Sequence, residues 1–394
     1  MTRPALALLL MLAVPLAARA GDALDALAGR ALFKRNWIPA PASTKSAQGL
    51  GPLFNARSCA QCHESGGPAR FERSGDSQFN VHGVVVRLGD AHGRTDDFYG
   101  QQLQTFAVPG LQNEATLTFD PNLDIKLHGP PLSPGINSGP RLAPALAGRA
   151  SFDDISDDAI LEIAERQRAL GNGIKGRVHW LGRDQTSGPI GKFGWKASQA
   201  TLEDQIANAF ALDLGLSSDR DRRPYGDCTA LETACFSAPN GRSAQSGGEE
   251  VSPQLLALIA LYLRELDGPK AAAASAQDFA LFDKTGCAQC HVPTLRGKDG
   301  KPVATYSDML LHDLGPRLDD GVGEPGVASN EWRTAPLIDL GGRGGTRRYL
   351  HDGRARTLEE AVTAHGGEAA GAAENFAKLE TEDQHRLIEF LQHQ

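Results

Sequence analysis

The chain has 394 residues, 41% of them hydrophobic, enough for two or three domains with cores of their own. Its formal net charge of −8, with no basic run, excludes nucleic acid as a natural partner. With 44 glycines and 23 prolines, long connections between elements are expected.

The N-terminal stretch MTRPALALLLMLAVPLAARA carries Arg3, an apolar run from Ala5 to Ala17, and Ala18-Arg19-Ala20 at its end. That order predicts a secretory signal peptide over residues 1–20, cleaved before Gly21. The alternative is an uncleaved anchor, but the run is short for a bilayer span, and none later reaches that length. The mature protein is therefore expected to be exported and not membrane-spanning.

Next comes CAQCH at residues 59–63, behind GLGPLFNARS. FNVHGVVVRL (79–88) and ATLTF (115–119) carry the only strand signals. SDDAILEIAERQRAL (156–170), ended by Gly171, and TLEDQIANAFALDLG (201–215) read as helices. Cys228 and Cys235 lie in a stretch rich in Gly, Pro, Asn and Ser, and in an exported chain a small-loop disulfide is the simple reading. SPQLLALIALYLREL (252–266) is a helix with Ser252 as N-cap and Pro253 in its first position. GPKAAAASAQ (268–277) is the linker candidate, though its alanines could extend a helix.

CAQCH then recurs at 287–291, behind FALFDKTG. TLEEAVTAH forms a short helix with a Thr357/Glu360 capping box, stopped at Gly366-Gly367. TEDQHRLIEFLQ (381–392) closes the chain, with a capping-box pattern at Thr381 and Gln384.

C-x-x-C-H is the attachment signature of c-type haem. Two thiols bond the two vinyl groups of one porphyrin, and the adjacent histidine falls beneath the ring as iron ligand. Cys59, Cys62 and His63 are assigned to one haem, and Cys287, Cys290 and His291 to a second. A redox CxxC pair would not need the histidine, and zinc would need a second cysteine pair nearby. The expected organisation is residues 21–270 as an N-terminal haem domain with an insertion and 271–394 as a C-terminal one. The expected fold is mainly α: two cytochrome-c-like haem domains with long loops and few short strands.

Function then depends on the far side of each iron. A second strong ligand makes an electron carrier, and an open position lets peroxide bind. His385 and His393, on the last helix, read as solvated. His365 ends a capped helix beside a sharp turn, and the residues alone leave it open between a ligand and a partner for the helix dipole.

The segment EWRTAPLIDLGGRGGTRRYLHDGRARTLEEAVTAHGGEA (331–369) resembles the C-terminal haem domain of the bacterial di-haem cytochrome c peroxidase and MauG superfamily. GPLFNARSCAQCH, YGQQLQTFAVPG, GKFGWKA and YSDMLLHDLG are similar to its di-haem oxidoreductase branch, and the likeness covers nearly the whole mature chain. The resemblance implies that His365, fourteen residues after His351, is the distal ligand of the second haem, where the peroxidases carry Met and MauG-like proteins Tyr. It implies that Gln104 and Glu114, ten residues apart, stand on the distal side of the first haem, with Glu114 moving protons during O–O cleavage. Glu368 is a neighbour of the His365 site, more simply read as solvated. His82 and His92 are rivals that would close the first iron instead. Tyr99, Trp195 and Trp332 compete for the aromatic position between the haems. The R-T-x-P loop, through Thr334 and Pro336, implies calcium between the domains, but no carboxylate partner is evident.

The implied activity is reduction of hydrogen peroxide in the periplasm. Electrons would arrive from a small cytochrome or copper protein and pass through the second haem. MauG-like oxidation of a partner protein and plain electron transfer are the alternatives, and a homodimer stays open. Dithiol chemistry has no free cysteine pair to support it.

Overall fold

The computed structural model describes residues 21–74, 78–119, 125–129, 131–223, 225–266, 275–341 and 347–394. The expected signal peptide and most of the linker at 268–277 lie outside the described residues. Among the described residues no helix is long and apolar enough to cross a membrane.

The fold is mixed α/β, which corrects the expectation of a mainly α protein built from two cytochrome-c-like domains. Helix accounts for 35% and strand for 18%. Seven small sheets are present among the described residues, six of them two-stranded. The physical reason lies in the glycine- and proline-rich stretches. Asn137–Leu142, reading NSGPRL, pairs antiparallel with Val84–Gly89 from Asn137↔Gly89 to Leu142↔Val84. Backbone pairing needs neither an apolar pattern nor β-branched residues when the partner strand supplies them. Ladders of two to four residues are also too short for alternation to be readable.

Several local signals hold. Ser252 accepts from the Leu255 amide, with Pro253 opening the helix Pro253–Arg264. Thr201 and Asp204 form a full capping box on Leu202–Leu214, which Gly215 ends. Two capping details differ. Glu360 accepts from the Arg356 amide (2.6 Å), while Thr357 caps the Glu360 amide alone. Glu380 is the N-cap of Thr381–Gln392, and the Gln384 amide group instead reaches back to the Phe376 and Leu379 carbonyls.

The largest core joins the entry helix (residues 21–34) to Leu202–Leu214 and Pro253–Arg264, through Phe33, Trp37, Phe210, Ile259 and Tyr262. At Gly29 an added Cβ would lie 1.9 Å from the Leu258 carbonyl oxygen, so this helix crossing is set by backbone contact. The same core takes in Leu295, Met309, Leu310 and Ile338. A second core is helical: Phe282, Phe376, Leu387, Phe390 and Leu391 come from Ala276–Thr285, Ala370–Ala377 and Thr381–Gln392.

Candidate haem sites

Each CAQCH copy sits in one tight turn. Cys59–Cys62 is a single α-helical turn after extended Ser58, and the His63 amide donates to the Cys59 carbonyl (2.9 Å). Cys287–Gln289 is a 3-10 turn entered from left-handed Gly286, and the His291 amide donates to Cys287 in the same way (2.9 Å). Burial pushes the Cys59, Cys62 and Cys287 thiols up to about 12. Such thiols are poor nucleophiles and poor redox dithiols at neutral pH.

The three histidines share one arrangement. His63 Nδ1 donates to the Pro144 carbonyl (2.9 Å), His291 Nδ1 to Tyr306 (3.0 Å), and His365 Nδ1 to Ala361 (2.8 Å). A carbonyl only accepts, so each Nδ1 carries the proton and each Nε2 keeps its lone pair. Burial lowers His63 and His291 to about 4, with His365 adding to the effect on His291. Burial lowers His365 too. Three neutral imidazoles oriented through Nδ1 are what iron ligation requires.

His291 and His365 line one cavity of about 500 Å³, together with Cys287 and Cys290. His365 reaches it as the C-cap of Leu358–Ala364, where the chain turns extended before Gly366. Arg149 and Arg333 are also in the wall. Burial, with mutual repulsion at Arg149, lowers them to about 9 and about 10. Arg149 Nη1 is buried with no partner. Buried cations without counter-charges are costly, and the two propionates of a haem would supply those charges. Ligands, attachment thiols and cations together fit a haem.

Calcium does not fit the R-T-x-P loop. The Thr334 carbonyl already accepts from Ser307 and Arg333 (2.7 and 3.2 Å), and the Pro336 carbonyl from Arg149 (3.5 Å). Arginines stand where a cation would have to bind.

The first motif lies behind a shared partition. Ala143 donates to Gly83 (2.7 Å) and accepts from Ala69 (2.8 Å), and Pro144 holds His63. Leu142 to Ala145 also line the second cavity. Gly83, at φ +80, passes so close that an added Cβ would lie 2.8 Å from the Cys62 carbonyl. His82 is beside it but exposed, and His92 is exposed in a turn. Just before the motif, Asn55 donates to Gln104 Oε1 (2.8 Å).

Gln104 and Glu114 are brought together. Glu114 accepts from the Gln104 amide (2.6 Å), and its own amide donates back to the Gln104 carbonyl (3.1 Å). The Gln104 side chain is spent on Asn55, Gln102 and Leu212. Glu114 Oε1 is buried without a donor. Burial, with Glu232 and Asp227 nearby, holds its pKa well above the ordinary carboxylate range.

Of the three aromatic candidates, Trp195 and Trp332 line the second cavity. Tyr99 packs elsewhere, with Val86, Leu88 and Leu103. His351 stacks on Trp332 at 3.7 Å and meets Trp195 edge-on at 6.4 Å. Trp195 Nε1 donates to Leu142 (3.0 Å), which ties this aromatic group to the partition. Lys196 Nζ lies 3.7 Å from the Trp332 ring centre, and Arg141 4.7 Å from it.

One feature escaped the sequence reading. His312 is held between Asp308 (Nε2, 2.9 Å) and Glu368 (Nδ1, 2.8 Å), beside Cys290. Burial alone would lower its pKa, but Asp308, Cys290 and Glu368 raise it to about 12. With both ring nitrogens protonated it cannot ligate a metal. Nothing in the sequence spacing joins residues 308, 312 and 368. Glu368, read as solvated, is instead engaged by His312, the Lys175 amide and the Asp313 amide.

Paired attachment turns, oriented imidazoles and an arginine-lined cavity define a haem oxidoreductase. Residues 131–394 match the family described as "Di-haem oxidoreductase, putative peroxidase", and the chain belongs to that di-haem oxidoreductase family. The matched stretch contains the whole second site and starts after the first motif. No curated protein matches. Among solved structures the chain is similar to Kuenenia stuttgartiensis hydrazine synthase pressurized with 20 bar xenon, at 18% identity and TM-score 0.26. That match covers 61% of this chain and 88% of the other, and so low a superposition score supports no inference.

Proposed function

We propose that this protein is an exported periplasmic peroxidase carrying two covalently bound haems c. Hydrogen peroxide would be reduced at the haem held by Cys59, Cys62 and His63. The other, held by Cys287, Cys290, His291 and His365, would receive electrons from a small donor cytochrome or copper protein. Bound haem supplies the redox-active iron, and peroxide takes up two electrons and two protons to give two waters.

The observation that carries this reading is an asymmetry. The second cavity is lined by two imidazoles, His291 and His365, a donor pair that would suit an electron-transfer site. The first motif neighbours Gln104, which holds a buried acid that keeps its proton at neutral pH. Glu114 would give that proton to the departing oxygen, a role that requires a high pKa. Trp195, His351 and Trp332 would couple the two sites through the partition. Lys196 and Arg141 over Trp332 oppose taking an electron from that ring, which weighs against oxidation of a partner protein through it.

The test is stopped-flow mixing of the haem-loaded protein with peroxide, with and without a reduced small cytochrome. Repeated turnover that needs the donor supports the proposal. A long-lived oxidised state that ignores the donor and discharges into a protein would sink it.

A further inference from the structure

Glu114 has a partner. Its residue is 6% exposed, its Oε2 accepts from the Gln104 amide, and its Oε1 has no N–H donor. The carboxyl of Glu232, itself 8% exposed, is its side-chain neighbour, and each acts on the protonation of the other. Two carboxyl groups hydrogen-bond only with a proton between them.

The surroundings keep that proton in place. The Tyr99 hydroxyl is buried without a hydrogen-bond partner, and the charges of Glu114, Asp96 and Glu232 all bear on it. Asp227 faces the pair, with Arg223 3.3 Å from it and the Gln101 and Gln102 amides donating to it. Asp96 accepts from the Phe98, Tyr99 and Ser133 amides. Arg223 is thus the one cation in this set, and it is engaged by Asp221 and Asp227.

Glu232 reaches this position on a clamped loop. The Cys228–Cys235 disulfide brackets it, over a sequence separation of 7. Inside the loop the Thr229 amide donates to Glu232 Oε2 (3.0 Å), and the Glu232 amide donates to the Thr229 carbonyl (3.1 Å). Thr229 Oγ1 donates to the Phe98 carbonyl (2.7 Å), which fastens the loop to the segment carrying Tyr99. Neighbouring Leu231 is 61% exposed, so one side of the loop meets water while Glu232 faces inward.

We propose that Glu232, positioned by the Cys228–Cys235 loop, shares one proton with Glu114 and resupplies it from solvent. The resupply rests on the reading of Glu114 as the proton-moving acid. Glu114 gives its proton to the departing hydroxide of peroxide and becomes a carboxylate. Glu232, by then also a carboxylate, takes a proton from solvent at the loop and passes it across to Glu114, which restores the single proton the pair shares. No electron moves in these steps.

Infrared difference spectra of the haem-loaded full chain test the pair apart from activity. Wild type is expected to show a protonated-carboxyl stretch at neutral pH, absent in both Glu114→Gln and Glu232→Gln. A band unchanged in Glu232→Gln overturns the proposal. So does a calcium-dependent rise in Tm that Glu232→Gln abolishes, since a bridging cation would then join the carboxyls. In wild type itself, carboxyl ¹³C NMR should show two glutamates titrating as a coupled pair, and two independent ordinary titrations would contradict it. For resupply, the alkaline limb of the peroxide rate should move down by about one pH unit or more in Glu232→Gln, whose amide can donate to a charged Glu114. An unmoved limb overturns that role. A full peroxide rate in Glu114→Gln would instead sink the functional reading, while the infrared result still judges the pair.

Discussion

The two CAQCH copies are identical in sequence and unlike in surroundings. Around the second are cations and two imidazoles: Arg149, Arg333, His291 and His365. Acting on the first is a carboxyl, Asp213, whose charge bears on Cys59 and Cys62, and Asn55, just before the motif, leads through Gln104 to Glu114 and its neighbour Glu232. Cations and two nitrogen donors suit a closed, electron-holding iron. Protonated acids suit a site where oxygen is cleaved. In the proposed function the motif fixes attachment, and the division of labour lies in residues far from it in sequence.

The comparison is broken most directly at Glu114. Glu114→Gln should lower the peroxide rate by about 10²–10⁴-fold and leave the spectrum of the second haem unchanged. It should also raise stability at neutral pH. The folded pKa of Glu114 lies above its unfolded value, so its contribution is full below about 4.5 and is lost as pH rises. A neutral amide removes that loss, and Tm measured from pH 5 to 9 should diverge from wild type as pH increases.

On the second side, His365→Ala should abolish the low-spin signal of that haem and stop donor-driven turnover, read by EPR and steady-state assay. His365→Met should restore a sixth ligand and raise the potential. His312→Ala strips the cation from between Asp308 and Glu368 and should cost about 3–5 kcal/mol in denaturant unfolding. The His312 contribution is full below pH 6.5 and is lost as pH rises towards about 12. Cys228→Ser with Cys235→Ser should cost about 2–3 kcal/mol, the value for so short a loop. Thr357→Ala removes the cap on the helix that carries His365, costing about 1 kcal/mol and broadening the low-spin signal.

What was legible in the sequence was local. Both attachment turns, the helices around 157–170, 202–214 and 253–264, and the placing of His365 at a helix end follow from spacing and caps within a few residues. What was not legible depends on long-range pairing. NSGPRL becomes a strand only because Val84–Gly89 lies beside it. His312 becomes an imidazolium only because Asp308 and Glu368 converge on it. Glu232 meets Glu114 only because a disulfide loop folds back over residues 98–102. Calcium was inferred from a loop whose carbonyls arginines turn out to occupy.

EPR and optical spectra of the ferric and half-reduced protein test the central claim most directly. The account predicts one low-spin haem, lost on His365→Ala, and one high-spin haem that responds to peroxide. Two low-spin, six-coordinate haems in every redox state would contradict it.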